Sequence, residues 1–136
     1  KSSKTKGRVS IRGIAKSGAK IKITGLIKID KNSQEVDSFL EMRVLILDNK
    51  SWATVEPKLE IEANLVKASH AATVSKIDEE QLFYLTSRGI KKEVREGLIV
   101  TGFLKEITDK IILSKSGSPN ASPHIAGWLR AGFGNL

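Results

Sequence analysis

A chain of 136 residues with 40% hydrophobic and 28% charged residues is typical of one globular domain with a sizeable core. It contains no Cys, which excludes disulfides, thiolate catalysis and Cys-ligated zinc or iron–sulfur sites within this segment. No apolar run approaches the roughly 20 residues needed to span a bilayer, so no membrane contact is expected. Because the first residue is Lys1 rather than Met, we expect the segment to come from a longer protein.

The net charge of +8 is concentrated near the N-terminus. Residues 1–29 contain nine Lys or Arg and no acidic residue, whereas the rest of the chain is close to neutral. A basic arm of this kind can bind phosphate backbones, which defines one alternative function, a nucleic-acid-binding β module. The competing interpretation is a solvated strand face, since Lys20, Lys22 and Lys28 alternate with isoleucines and stacking aromatic residues are nearly absent. The second interpretation is favoured, so nucleic acid is not the expected partner.

Apolar residues recur with a period near two from about Val9 to Val74. Turn-rich pieces, including "VEP" at 55–57, separate strand-like runs at residues 21–29, 40–47, 59–66 and 68–74. No helical segment lies between these runs, which argues against a βαβ fold. A sandwich, a barrel and a β-helix all share this alternation, and periodicity does not separate them.

A helical period replaces the alternation after the last strand. Asp78 is the expected N-cap of a helix over residues 79–88, and Gly89 is the expected left-handed residue just after its end. Tyr84 and Arg88 lie in this helix, where packing and capping roles are more typical than catalytic ones. The sequence therefore predicts a junction between sheet and helix in this region.

A second helix is predicted over residues 91–112. Lys92 and Glu96 are spaced to form an i, i+4 ion pair on its exposed side. A broad apolar stripe is expected to face the remainder of the domain. Its members are Val94, Leu98, Ile99, Phe103, Ile107 and Ile111.

The predicted organisation has three parts. Residues 1–77 are the strand region and residues 78–113 are a C-terminal helical unit. Residues 114–136 are rich in Gly, Pro, Ser and Asn, so we expect a flexible tail, part of it foreign to the native gene. His124 lies in this tail and is left out of the search for a site.

Two segments carry a resemblance to a known family. Residues 57–90, "PKLEIEANLVKASHAATVSKIDEEQLFYLTSRGI", followed by "GLIVTGFLKEI" at 97–107, closely resemble the C-terminal region of the SufB/SufD family. Those proteins are the core of the SUF iron–sulfur assembly machinery, and they are considerably longer than this chain. The resemblance is specific because several elements keep an uninterrupted spacing: Pro57 with Leu59-Glu60-Ile61, Ser69-His70, Phe83-Tyr84-Leu85 and Ser87-Arg88-Gly89-Ile90.

The resemblance implies both a fold and a role. The implied fold is mainly β, a right-handed parallel β-helix followed by a small C-terminal helical unit. The implied role is a cytoplasmic, non-enzymatic scaffold component that docks the ABC-type ATPase SufC and pairs with a SufB/SufD paralogue or with a second copy of itself. No enzymatic activity is expected, since the chain has neither a nucleophile–base spacing nor a phosphate-cradling Gly loop.

One departure from the family concerns a cysteine. SufB-type scaffolds carry an essential Cys on a strand upstream of the motif, where this chain reads "FLEMRVLIL" at 39–47, with Met42 near that position. A thioether is a poor substitute for a thiolate ligand. The chain therefore looks like SufD or an undifferentiated archaeal-type relative, and we take it as SufD-like.

His70 is the one residue that the resemblance suggests as a ligand. In SufD-type proteins the His of this Ser-His motif is proposed to lie near the nascent cluster at the SufB–SufD interface, and imidazole is a reasonable iron ligand. The structural alternative is a buried or interface His whose hydrogen bonds are satisfied by the backbone. One His with no neighbouring ligand cannot form a site alone. We therefore expect no cofactor on this segment and an iron–sulfur cluster only indirectly, in a complex.

Overall fold

The computed structural model describes the backbone of residues 4–115 and the side chains of residues 4–110. Its elements, in chain order, are β1 (Lys6–Ala15), β2 (Lys20–Ile29), β3 (Val36–Ile46), β4 (Trp52–Ile61), β5 (Val66–Lys76), α1 (Glu79–Ser87) and α2 (Lys92–Lys115). The chain divides into two compact units, residues 1–104 and 105–136. Of the second unit, the structure describes only the end of α2. The predicted tail, apart from its first two residues, and His124 lie outside the described residues.

The strands form two parallel sheets. In one sheet β3 lies between β1 and β5, and in the other β2 pairs with β4. Strands that follow one another in the sequence therefore lie in different sheets. The pairs are β1 with β3, β2 with β4 and β3 with β5. A mainly β chain with two C-terminal helices is confirmed, and the antiparallel sandwich that periodicity left open is excluded, since every pairing among the described residues is parallel.

The register of these pairs gives the chain a structural period. Lys6 lies opposite Asp37, 31 residues later, and Lys20 lies opposite Trp52, 32 residues later. Val36 lies opposite Val66, 30 residues later. Paired residues of parallel strands project to the same face, so residues about one period apart stack on one another.

The buried core lies mainly on β3, because β3 is paired on both sides. Five of the eight buried apolar residues in the described part belong to this strand: Leu40, Met42, Val44, Leu45 and Ile46. Every other strand has an edge that pairs with no described strand. The buried core is therefore smaller than the chain length predicts. In the described part of the chain, the two outer strands of the larger sheet, β1 and β5, are each unpaired on one side.

The prediction around Pro57 was wrong. No separate strand forms at 59–66, because β4 runs through Pro57 to Ile61 and residues 62–65 connect it to β5. The "VEP" piece was read as a turn because proline donates no hydrogen bond to a sheet. In the described residues β4 pairs with β2 alone, and an edge strand tolerates a missing donor.

The ends of α1 are confirmed. The Asp78 carboxylate accepts a hydrogen bond of 2.9 Å from the Glu80 N–H, and Gly89 has a φ of 74°. The Arg88 guanidinium carbon lies 4.5 Å from the centre of the Tyr84 ring. Packing and capping therefore account for both residues.

The face of α2 differs from the predicted stripe. The exposed fractions of Val94 and Leu98 are 53% and 52%, whereas Phe103 is half-buried. Glu96 pairs with Lys16 of the strand region at 2.6 Å instead of with Lys92. Contacts with the strand region therefore determine which face of α2 is buried. The sequence of the helix alone does not reveal these contacts.

The two sheets approach closely at Gly25, and this approach can be tested. A Cβ at this position would lie 2.7 Å from Leu40 Cδ2 and 3.0 Å from Met42 Sδ. We expect Gly25→Ala to lower the free energy of unfolding by about 1–3 kcal/mol, because the added methyl overpacks the interior. Urea denaturation measures this change.

Gly97→Ala is the matched control, since its Cβ would meet no atom within 4 Å. That variant should gain about 0.5–1 kcal/mol from its higher helix propensity. A Gly25→Ala variant as stable as the parent chain would contradict the close approach.

Candidate functional site

The outer edge of β5 is the most open part of the strand region. One edge of β5 pairs with β3, and the other has no partner within the described residues. Eight of its eleven residues are exposed. Unpaired N–H and C=O groups along such an edge can hydrogen-bond to a strand of another chain.

His70 lies on this strand, in the last layer of the stack. It pairs in register with Leu40, so its imidazole projects to the same face as that buried side chain. Leu40 is 3% exposed, whereas His70 is exposed because no described strand follows β5 on that side. Pro57 has the same relation to Gly25 in the other sheet. Pro57 and His70, two residues of the motif, therefore each lie on the last strand of their sheet.

The structure excludes a buried His70 in this chain. The side chain makes no hydrogen bond to another described residue, and it is exposed. No three His, Asp or Glu side chains within residues 4–110 are grouped so as to hold a metal ion. If His70 ligates a metal, the other ligands must therefore come from elsewhere, and the ligand role stays a prediction.

Met42 is part of the core. It is fully buried on β3, and Ala72 lies opposite it on β5. Its thioether lies close to Gly25, at the narrow point between the sheets. The side chain at this position therefore fills space between the sheets and has no access to solvent.

Apolar side chains accompany His70 at the open end. Leu65, just before β5, is 68% exposed, and Val74 on β5 is 39% exposed. Ile61, at the end of β4, is 42% exposed. Exposed apolar side chains next to an unpaired strand edge are typical of a surface that another protein covers.

Acidic residues about one period later pair with three of the nine basic residues of the N-terminal stretch: Arg8, Arg12 and Lys22. Arg8 binds Asp37 at 2.9 Å, and Lys22 binds Glu56 at 2.9 Å. The hydrogen bond from Arg8 holds the pKa of the Asp37 carboxyl below its ordinary value, and Lys22 has the same effect on the pKa of Glu56. These pairings weaken the case for a nucleic-acid-binding arm, because three of its cations already have acidic partners.

A further polar cluster was not predicted from the sequence. Arg12, whose side chain is 2% exposed, binds Glu41 at 2.8 Å. The Phe103 ring centre lies 5.9 Å from the Arg12 guanidinium carbon and 5.7 Å from that of Arg43, so cation–π contacts attach α2 to the sheet. The only signal in the sequence is the 29-residue spacing of Arg12 and Glu41, which becomes informative once the structural period is known.

Comparisons with known proteins relate this sequence to one family. Residues 1–103 match the family described as "SUF system FeS cluster assembly, SufBD core domain". The chain is 36% identical over 107 residues to the iron–sulfur cluster assembly protein SufB of Bacillus subtilis, covering 79% of this chain and 23% of that protein. It is 35% identical over 111 residues to an iron–sulfur cluster assembly SufBD family protein of Staphylococcus aureus, covering 82% of this chain and 24% of that protein.

The matched segment includes all five strands and α1. The chain belongs to the SufBD core domain family. It spans about a quarter of the length of the curated relatives that it matches. The SufD-like subtype stays a prediction. Within the described residues, no helix combines the length and apolarity needed to cross a membrane.

The exposure of His70 predicts a small effect on folding. We expect His70→Ala to change the free energy of unfolding of this chain by less than about 0.5 kcal/mol, as is usual for surface substitutions. Leu40→Ala, one layer below, should cost about 2–5 kcal/mol because it leaves a cavity. Urea midpoints of the two variants provide the comparison, and a loss above about 1 kcal/mol for His70→Ala would restore a structural role.

Proposed function

We propose that this chain is a non-enzymatic part of a SUF iron–sulfur cluster assembly scaffold in the cytoplasm. The observation that supports this most strongly is the family match over residues 1–103, together with relatives that are themselves named as iron–sulfur cluster assembly proteins. The open last layer fits a scaffold, since it offers a surface for another protein. A nucleophile–base pair and a phosphate-cradling Gly loop are both missing from the sequence, which favours assembly over catalysis.

We infer that the strands are coils of a right-handed parallel β-helix. Two parallel sheets whose strands alternate along the chain, with a period of about 31 residues, are what such coils require. Crossover connections between parallel strands of one sheet are right-handed in about 98% of cases, which favours that hand.

The proposed partner at β5 is a SufB/SufD paralogue or a second copy of the chain. A strand added to the free edge of β5 would satisfy the unpaired backbone groups, and side chains of the partner would cover Leu65 and Val74. The relatives are about four times longer, so strands from the remainder of a full-length protein are alternative covers for this edge. Co-purification of the full-length protein and its Leu65→Glu variant separates these occupants.

The proposed role of His70 is to lie beside a cluster that forms across this interface. The chain contains no Cys, so thiolate ligands for the irons would come from the partner. Imidazole can replace thiolate at one iron of a cluster. On this proposal the chain alone binds no cluster, and the cluster is the product of assembly in the complex.

We propose that the helical unit docks the ABC-type ATPase SufC. α1 exposes Phe83, which is 75% accessible, and α2 exposes Val94 and Leu98. Apolar side chains at this level of exposure are typical of docking surfaces. ATP hydrolysis would then belong to the partner, and this chain would transmit its movement.

The proposal is tested by co-purification of the full-length protein from its own cells. We expect an ABC-type ATPase and a SufB/SufD-type subunit, or a second copy, to co-purify with it. Leu65→Glu should abolish recovery of the subunit and leave the ATPase, because it places a charge at the open end. Leu26→Glu on the outer face of β2, where Leu26 is 52% exposed, is the matched control and should retain both.

His70→Ala in the same protein should keep both partners but fail to complement an assembly-deficient strain. Full complementation by that variant would end the case for His70 as a required ligand. Equal recovery of the subunit with Leu65→Glu and Leu26→Glu would contradict a partner at this end and would favour a cover from the protein's own chain.

A further inference from the structure

A cavity of about 570 Å³ lies where turns of the strand region meet the two helices. The turns after β1 and β3 form one side, and α1 and the first turn of α2 form the other. Three apolar side chains contribute to its wall: Leu47, Ile77 and Leu82. This volume is in the range of small-molecule sites.

The carboxylates of the cavity already have partners. Asp48 accepts hydrogen bonds from the N–H groups of Ser17, Lys50 and Ser51 and from the Ser51 hydroxyl, at 2.5–3.0 Å. Partial burial alone would raise the pKa of Asp48, but these hydrogen bonds hold it below its ordinary value. Glu96 binds Lys16 at 2.6 Å. Lys16 therefore compensates the charge of Glu96, whereas Asp48 accepts only from neutral groups and keeps its charge. Four cations still line the cavity against these two carboxylates.

The remaining cations of the cavity have no such partners. Lys50, Lys92 and Arg95 all line it, and the side chains of the three form no ion pair with another described residue. The Arg95 Nε atom is fully buried and has no hydrogen-bond acceptor among the described residues. Because a buried donor without an acceptor is costly, such an atom points to a bound water or ion.

We propose that this cavity binds a phosphate-type oxyanion, either free or as the phosphate group of a small organic monoester. The planar guanidinium of Arg95 suits two parallel hydrogen bonds to such a group, and Lys50 and Lys92 supply further positive charge. The start of α2 adds the favourable end of a helix dipole. The apolar wall and a volume well above that of a bare phosphate ion favour the monoester.

This site goes beyond the proposed scaffold function and does not depend on it. Its ligand would contact both the turns of the strand region and the first turn of α2. A ligand that binds only the folded arrangement stabilises it, and the stabilisation grows with the logarithm of the ligand concentration relative to Kd. The ligand would therefore tighten the attachment of α2 to the sheet.

Isothermal titration of the 136-residue chain at constant ionic strength tests the proposal. The probes are inorganic phosphate, phenyl phosphate and acetate. We expect saturable binding of the phosphates, no saturable binding of acetate, and about tenfold weaker phosphate binding by Arg95→Gln, which loses the charged donor. Tighter binding of phenyl phosphate than of phosphate identifies a monoester ligand, and equal affinity identifies the free ion.

Arg88→Gln is the matched control, because Arg88 stacks on Tyr84 and does not line the cavity. It should bind the phosphates like the parent chain. If Arg95→Gln does not fold, as judged by circular dichroism, Lys92→Gln at an exposed position takes its place. Hydrogen exchange of residues 92–96 should slow on addition of the ligand to the parent chain. Absence of saturable phosphate binding, or binding unchanged in these cavity variants, would overturn the proposal.

Discussion

Parallel, in-register pairing of β3 with both β1 and β5 is the constraint on which the remaining structure depends. It aligns residues about 31 positions apart, so that like faces stack and the interior forms from β3 outward. The same register sets the polar contacts of the outer faces, where Arg8 meets Asp37 and Arg12 meets Glu41. One backbone pattern thus determines the core, the ion pairs of the basic stretch and the layer that contains His70.

Stacking of this kind always ends in an uncovered layer. The last layer here exposes His70 and nearby apolar side chains beside an unpaired strand edge, which is unfavourable in water unless another strand covers it. On the proposed function, the exposed imidazole would lie at the boundary between two chains, where a ligand shared by both would have to lie. The feature that limits the stability of the chain alone is therefore the feature that suits it to assembly.

Local features could be predicted from the sequence, whereas contacts at a distance could not. The Asp78 cap, the left-handed Gly89 and the change of period depend on neighbouring residues, and all are present. Sequence alternation left three β architectures open, and the resemblance to a known family pointed to parallel coils. The course of β4 through Pro57 depends on which strands flank it, and the Lys16–Glu96 pair joins residues 80 positions apart. Neither of these has a local sequence signature.

Backbone nuclear Overhauser contacts between β3 and β5 test the central claim most directly, since every layer depends on that register. We expect contacts that link Phe39 to Ser69, Leu40 to His70 and Glu41 to Ala71, so that residue numbers increase in the same direction along both strands. Contacts that advance in opposite directions would show an antiparallel pair. A register displaced by one residue would turn His70 to the opposite face of the sheet from Leu40, and either result would contradict the account.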